Sequence, residues 1–317
     1  MAAISQLYEI PASTFVPICH PLYTEVSTSV NQWFLENWDF PNEDARKKFV
    51  RAGFSHATCS YFPKSLDDRI GLACKLLSIL FLIDDQLEHL SLSDGAAYNE
   101  HLMPLCKGEA LPNHNSPVEW MMYSIWEEMR QCNESLANGV LEPVFTFMRA
   151  QTSPERLTVK ELGPYLRYRQ GDVGQALLAA LMRFCMGLYL DNDELDSVRE
   201  IELNVGRHIS IVNDIFSFEK ELASSKVTHE EGGVLCSAVS VLAGEINIGT
   251  SAAKRILWSM CREWELIHQE LVKKRMSSEE ACSSSLQKYV KALEYQMSGN
   301  ELWSRSTGRY GTQMNSP

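Results

Sequence analysis

The stretch that most limits what this chain can fold into runs from Leu72 to Leu90, LACKLLSILFLIDDQLEHL. An almost unbroken apolar run ends in Asp84, Asp85 and Glu88. Read as a helix, it sets Asp84 and Glu88 four residues apart on one face, and Phe81, Leu80, Leu77 and Ala73 continue that face backwards. The helix is too greasy for a surface position, so its acidic end is aimed into the space its apolar side faces. Carboxylates there are costly to desolvate without a positive partner. Mg²⁺ is a suitable one, because it binds one or two carboxylates, keeps waters and takes substrate phosphates. Acidic helix ends facing water are common, and this cluster by itself carries that plainer reading too.

A second cluster, NDIFSFEKE from Asn213 to Glu221, sharpens the choice. Asn213, Ser217 and Glu221 recur every four residues, a spacing that drifts by only about 40° per step on a helix. Three oxygen donors thus share one stripe, amid Ile211, Val212, Ile215, Phe216 and Phe218. The alternative is an ordinary polar stripe with Asn and Ser bonded to the backbone. Cations that suit an anionic ligand are Arg169, Lys220 and Arg309, the last beside Tyr310; Arg forks match phosphate oxygens. Most of the 29 Lys and Arg residues are expected to be solvated. Tyr61, Phe81, Phe147 and Trp303 are either core packing or the π-rich wall of a cavity that stabilises cations.

Periodicity gives an all-α chain of about ten or more helices, with no strand alternation and no internal repeat. Residues 1–20, with Pro11 and Pro17, read as an extended arm; helices are expected over 23–38, 44–54, 118–138, 142–151, 157–169, 172–190, 193–221, 234–244, 251–274 and 279–297. The stretch after Leu90, with Gly95, reads as turns, 104–117 as a loop, and 222–234 as a mobile loop. The polar tail runs from Leu302 to Pro317. No linker divides the chain, and 317 residues at 45% hydrophobic content suffice for one large domain over 1–317.

Composition excludes other classes. A net charge of −12 with no basic face argues against nucleic acid. Nine cysteines without a CxxC fit a reduced compartment rather than a disulfide framework. No Lys or Arg precedes Arg46, so no targeting peptide is expected, and no apolar run reaches membrane-spanning length. A cytoplasmic protein is the expectation. HExxH, GxSxG, GxGxxG and P-loop patterns are missing.

Together, DDQLE at Asp84, NDxxSxxKE from Asn213 to Glu221, the upstream Arg169 and the closing Arg309-Tyr310 resemble the fungal class I sesquiterpene cyclases. The likeness continues through STFVPICHP, YFPKSLDDRI, FMRAQT and LEYQMSGNELWS. It implies the class I terpenoid synthase helical barrel, farnesyl diphosphate as substrate and three Mg²⁺ ions. By resemblance, Asp84 ligates two ions and Asn213, Ser217 and Glu221 the third. Arg169, Lys220, Arg309 and Tyr310 bind the diphosphate, with the tail from Trp303 closing over it. Tyr61, Phe81, Phe147 and Trp303 line the pocket, with Gln175 beside them.

The implied reaction is ionisation, germacrene-type closure, reprotonation, a second closure with hydride and methyl shifts, and proton loss. Its expected product is aristolochene or a related eremophilane or germacrene hydrocarbon. Homodimers or larger assemblies are common in the family; composition marks no interface. Two positions depart from the pattern. Gln175 stands where a Lys is expected after Asp172-Val173-Gly174, which puts reprotonation and product skeleton in doubt. Gln86 is polar where an apolar residue is expected, and should face away from the metals. A prenyl chain-elongating transferase would carry two Asp-rich boxes instead of Asn/Ser/Glu, and a non-catalytic helical binding protein would not need both ligand sets intact.

Overall fold

The computed structural model describes residues 10–278 and 282–310, and among these there are helices and no strands. Fourteen α-helices follow in order: α1 Tyr23–Asn37, α2 Glu43–Ala52, α3 Phe54–Tyr61, α4 Asp67–Leu87, α5 Leu92–Lys107, α6 Pro117–Gln151, α7 Glu155–Thr158, α8 Leu162–Asp172, α9 Gln175–Met186, α10 Asn192–Ser197, α11 Arg199–Ser224, α12 Ala238–Glu245, α13 Thr250–Met276 and α14 Ser284–Ser306. A 3₁₀ turn spans Glu231–Gly233. No helix among the described residues is long and apolar enough to cross a membrane.

The expected apolar helix is α4, which starts at Asp67 and ends at Leu87 rather than Leu90, with Ile70, Ala73, Cys74, Leu76, Ile79 and Ile83 fully buried. It lies against α3, α6 and α9. α11 is the other axis: Ile201, Val205 and Ile209 of its first half join the main core, while Ile211, Val212, Ile215 and Phe218 form a second core with α12, α13 and Tyr165 of α8. α14 closes the arrangement between α11 and α3.

Several boundaries differ from the sequence expectation. The stretch after Leu90 is not turns but α5. Ser91 caps it by accepting the Asp94 amide at 3.0 Å. Gly95 is there for close packing: a Cβ would lie 3.0 Å from Thr152 and 3.1 Å from Leu87. The expected loop at 104–117 begins only after Lys107, because Pro104 is accommodated inside α5. Phe54, expected to end the helix over 44–54, instead opens a separate helix α3 behind Gly53, whose φ of 61° turns the chain. The two expected helices at 118–151 are both present within α6, but they meet at a kink at Asn133 rather than near residue 140, and the Asn133 side chain caps the second by accepting from the Leu136 amide at 2.9 Å. The expected helix over 172–190 starts only at Gln175, after Gly174 with φ 73°. The last helix begins at Ser284 and persists to Ser306, so Trp303 is helical and only residues from Thr307 on form tail. Of the expected arm and tail, residues 1–9 and 311–317 lie outside the described residues.

Candidate active site

α3, α4, α6, α8, α9, α11 and α14 surround a cavity that opens to solvent. Its floor is apolar: Leu77, Leu80 and Phe81 from α4, Phe147 from α6, Leu177 and Leu178 from α9, Ile209 from α11, Trp303 from α14. Its mouth carries the charges, with Asp84 and Glu88 at the end of α4 facing Asn213, Ser217, Lys220 and Glu221 along α11. The two clusters thus share one opening because each ends an apolar face that lines the same floor.

Around the mouth the charges are tightly matched. Arg309 donates two hydrogen bonds to Asp85, at 2.9 and 2.8 Å, and reaches within 3.9 Å of Asp84. Its guanidinium sits 5.6 Å from the Phe81 ring and 5.4 Å from Phe54, which stack on each other at 4.4 Å. Lys220 binds Glu88 at 3.0 Å and Asp85 at 3.4 Å. Arg169 donates to Asn213 at 2.8 Å, to Asp214 and to Asp172. Asn213 in turn donates to the Tyr310 hydroxyl at 2.9 Å. The tail is pinned for this by Thr307 donating to the Ala52 carbonyl at 2.7 Å and by the Gly308 amide on Arg51 at 3.2 Å.

These pairings set the carboxylates apart electrostatically. Burial pushes Asp84 up to about 6, helped by Glu88 and Asp85. Burial acts on Asp85 too, but Arg309 and Lys220 outweigh it and hold that carboxyl at about 2. Glu221, half-buried near Asp214, is pushed up to about 7 by desolvation and by that neighbouring charge. A carboxylate raised by burial and like charge is one that a cation would stabilise. The Ser217 hydroxyl is buried without a hydrogen-bond partner, and Gln151 leaves its Oε1 in the same condition while its amide donates to Asp84 at 2.8 Å. Oxygen-only donors, two raised carboxylates and an orphaned hydroxyl fit a hard divalent ion. The ligand oxygens of Asp84, Asp85 and Glu88 all lie within 4.8 Å of one another.

Every sequence-expected site residue except Gln175 lines this cavity: Asp84, Asn213, Ser217 and Glu221; Arg169, Lys220, Arg309 and Tyr310; Tyr61, Phe81, Phe147 and Trp303. Gln175 sits behind the wall. The left-handed turn at Gly174 directs it toward α11, where its side chain fills the space that a Cβ on Gly206 would need, 2.7 Å from Gln175 Cγ. Gln86 faces away from the mouth, as expected, and accepts from Tyr98 of α5 at 2.8 Å. Tyr61 spends its hydroxyl on Asn300 at 2.7 Å, and Trp303 its indole N–H on the Ala52 carbonyl at 2.9 Å.

Sequence reasoning missed Asp214, which is fully buried and accepts from Tyr165 at 2.5 Å, from Arg169 at 3.2 Å and from the Ala238 amide at 2.9 Å. It sits beside Asn213 but on the rear of the helix, where spacing rules for the ligand stripe give no sign of it. Gln151, Arg156 and Asn300 were missed for a related reason: each is a lone polar residue that only the tertiary fold brings to the cavity.

Comparison with known proteins agrees with this geometry. Residues 75–265 match the family described as Terpene synthase family 2, C-terminal metal binding. The chain is 57% identical over 306 residues to aristolochene synthase from Aspergillus terreus, covering 96% of this chain and 95% of that one. It superposes on the crystal structure of aristolochene synthase from Penicillium roqueforti with a TM-score of 0.84 at 52% identity, over 94% of this chain and all of the other. Hedycaryol synthase, at 20% identity and a TM-score of 0.76, shares the fold. The cavity with its divalent-metal site is therefore that of a class I sesquiterpene synthase, and the chain belongs to the terpene synthase family, alongside the aristolochene synthases.

Proposed function

We propose that the enzyme ionises farnesyl diphosphate and cyclises it to aristolochene, leaving inorganic diphosphate. The observation that carries this is the orphaned Ser217 hydroxyl, set between Asn213 and Glu221 and facing the cavity that Asp84 enters from the other side. In this reading Asp84 would hold two Mg²⁺ ions, and Asn213, Ser217 and Glu221 would hold a third. Bound there, the metal supplies Lewis acidity toward the leaving diphosphate.

The protein's own groups do the rest. Arg169, Lys220, Arg309 and Tyr310 stand where they can donate to diphosphate oxygens, so charge developing on the leaving group meets fixed donors. The isoprenoid chain lies on the apolar floor, where Phe81, Phe147, Tyr61 and Trp303 offer π faces to a cation. Water is kept out by Leu77, Leu80, Leu177, Leu178 and Ile209. Among the described residues lining that floor there is neither a histidine nor a carboxylate, so the departing diphosphate serves as the base for the final proton loss. The whole chain, 1–317, is read as one domain around this reaction.

The test follows diphosphate release. With farnesyl diphosphate the enzyme should release diphosphate when Mg²⁺ is present, stop on addition of EDTA and resume when Mg²⁺ is restored. Release that ignores chelation overturns the metal assignment. Chain elongation on adding isopentenyl diphosphate would instead favour a transferase, against which the Asn/Ser/Glu donor set argues.

A further inference from the structure

Four cations line the cavity, and three are already matched: Arg169 by Asp172 and Asp214, Lys220 by Asp85 and Glu88, Arg309 by Asp85. The fourth, Arg156, is not. It sits on the short turn α7, after Pro154, and its side chain reaches into the lining of the cavity. Its Nη1 donates to the Gln151 carbonyl at 2.8 Å. Its Nε is buried without a partner, and among the described residues no carboxylate hydrogen-bonds the guanidinium; Asp172 and Asp84 act on its charge only from farther off.

An enclosed guanidinium with spare donors is an expensive arrangement unless an anion completes it. Its position is also fixed on both sides. Gln151 holds Arg156 through its backbone carbonyl and Asp84 through its side-chain amide, so one residue ties the free cation to a metal-box carboxylate. Arg156 therefore faces the mouth from the α6–α8 side, a direction served by neither the α11 stripe nor the Arg309-Tyr310 tail. We propose that Arg156 is a further diphosphate-binding residue, which takes a diphosphate oxygen with the donors it leaves unused and holds inorganic diphosphate in place after ionisation.

This rests on the proposed function, and its consequence is separable from it. A residue that retains diphosphate after C–O cleavage acts on how long the cation stays enclosed above its base. Losing it should loosen diphosphate binding and let intermediates escape as shorter-pathway products.

The test is calorimetric titration of the full-length enzyme with inorganic pyrophosphate in MgCl₂, for wild type, Arg156→Gln and Arg156→Lys. One charge-assisted hydrogen bond lost corresponds to weakening of about tenfold to a hundredfold. Arg156→Gln should show that weakening, and Arg156→Lys should recover part of it by keeping the charge. Product analysis of Arg156→Gln should show a larger share of germacrene-type or acyclic products. Far-UV circular dichroism and melting without pyrophosphate report any loss of fold from the missing bond to the Gln151 carbonyl, and equal weakening in both variants, like no weakening in either, counts against a role for the charge. Equal pyrophosphate affinity in all three proteins overturns the proposal. A wild type that does not bind pyrophosphate with Mg²⁺ overturns instead the reading of the whole site.

Discussion

Asn213 accepts from Arg169 and donates to Tyr310, so one amide joins α8, α11 and the tail at the point where the metal stripe begins. Replacing it with Leu keeps the branched outline of the side chain and removes both bonds as well as the ligand oxygen. Asn213→Leu should lower kcat/KM by at least about a hundredfold, while the far-UV circular dichroism stays helical. Turnover close to wild type would show that the stripe does not hold metal. The stripe was legible in the sequence because ligands on one helix face must repeat every three or four residues, and Asn213, Ser217 and Glu221 do. Asp214 was not, since its role depends on Tyr165 and Ala238, both distant in the chain. Gln175 shows the reverse case: a residue adjacent to cavity-lining Asp172 and Val173 is carried out of the cavity by the left-handed turn at Gly174.

At the scale of elements, the segment from Thr228 to Cys236 differs most from its sequence reading. Instead of a free loop, it docks on the C-terminal end of α4. The Gly232 amide donates to the Leu90 carbonyl at 3.0 Å, and Glu231 accepts the Leu92 amide at 3.1 Å. Gly232 through Cys236 form part of the cavity wall. A Cβ on Gly232 would sit 2.0 Å from the Leu87 carbonyl oxygen, so no other residue allows this approach without displacing the segment. Gly232→Ala should therefore lift it from α4, lowering kcat/KM by about tenfold or more, as small misplacements near a site do, and speeding proteolytic cleavage within 225–236. Unchanged protease resistance would show that the contact is dispensable. A glycine pair reads as flexibility in a sequence, but close backbone approach is the same signal and only the fold separates them. α4 and α11 were legible because their apolar runs are long and end in charge. α5 was hidden by Gly95, whose packing role mimics a turn.

On the scale of the whole molecule, a second buried charge cluster lies away from the mouth. Arg262 of α13 pairs with Glu301 through two contacts of 2.8 Å and with Glu265 at 2.5 Å. It also donates to the Pro11 carbonyl at 2.7 Å, and Glu265 accepts the Thr14 amide at 3.0 Å, so the N-terminal arm is fastened across α13. His268, one turn on, is fully buried against Phe15, with neither ring nitrogen hydrogen-bonded. Burial, with His208 of α11 and Lys291 of α14 nearby, pushes it down to about 4. The unfolded chain binds this proton below about 6.5 and the folded chain only near 4. Its stabilising effect is therefore complete above pH 6.5 and lost progressively as pH falls toward 4. Between pH 7 and pH 5 this histidine should account for about 2 kcal/mol, read as the difference between the urea-unfolding pH slopes of wild type and His268→Leu. An identical slope in the variant would assign the effect elsewhere. Composition could not reveal this cluster, because its central pair, Arg262 and Glu301, lies 39 residues apart and only the tertiary fold joins it.

The central claim is that the two ligand boxes and the apolar floor together make a farnesyl diphosphate cyclase of aristolochene type, with Gln175 behind the wall rather than in the reaction. Gas chromatography–mass spectrometry of pentane extracts, from wild type and Gln175→Lys incubated with farnesyl diphosphate and Mg²⁺, tests it most directly. Aristolochene should be the main hydrocarbon from the wild type, and Gln175→Lys should make the same skeleton. No hydrocarbon from the wild type, or a skeleton that changes with residue 175, would contradict the account.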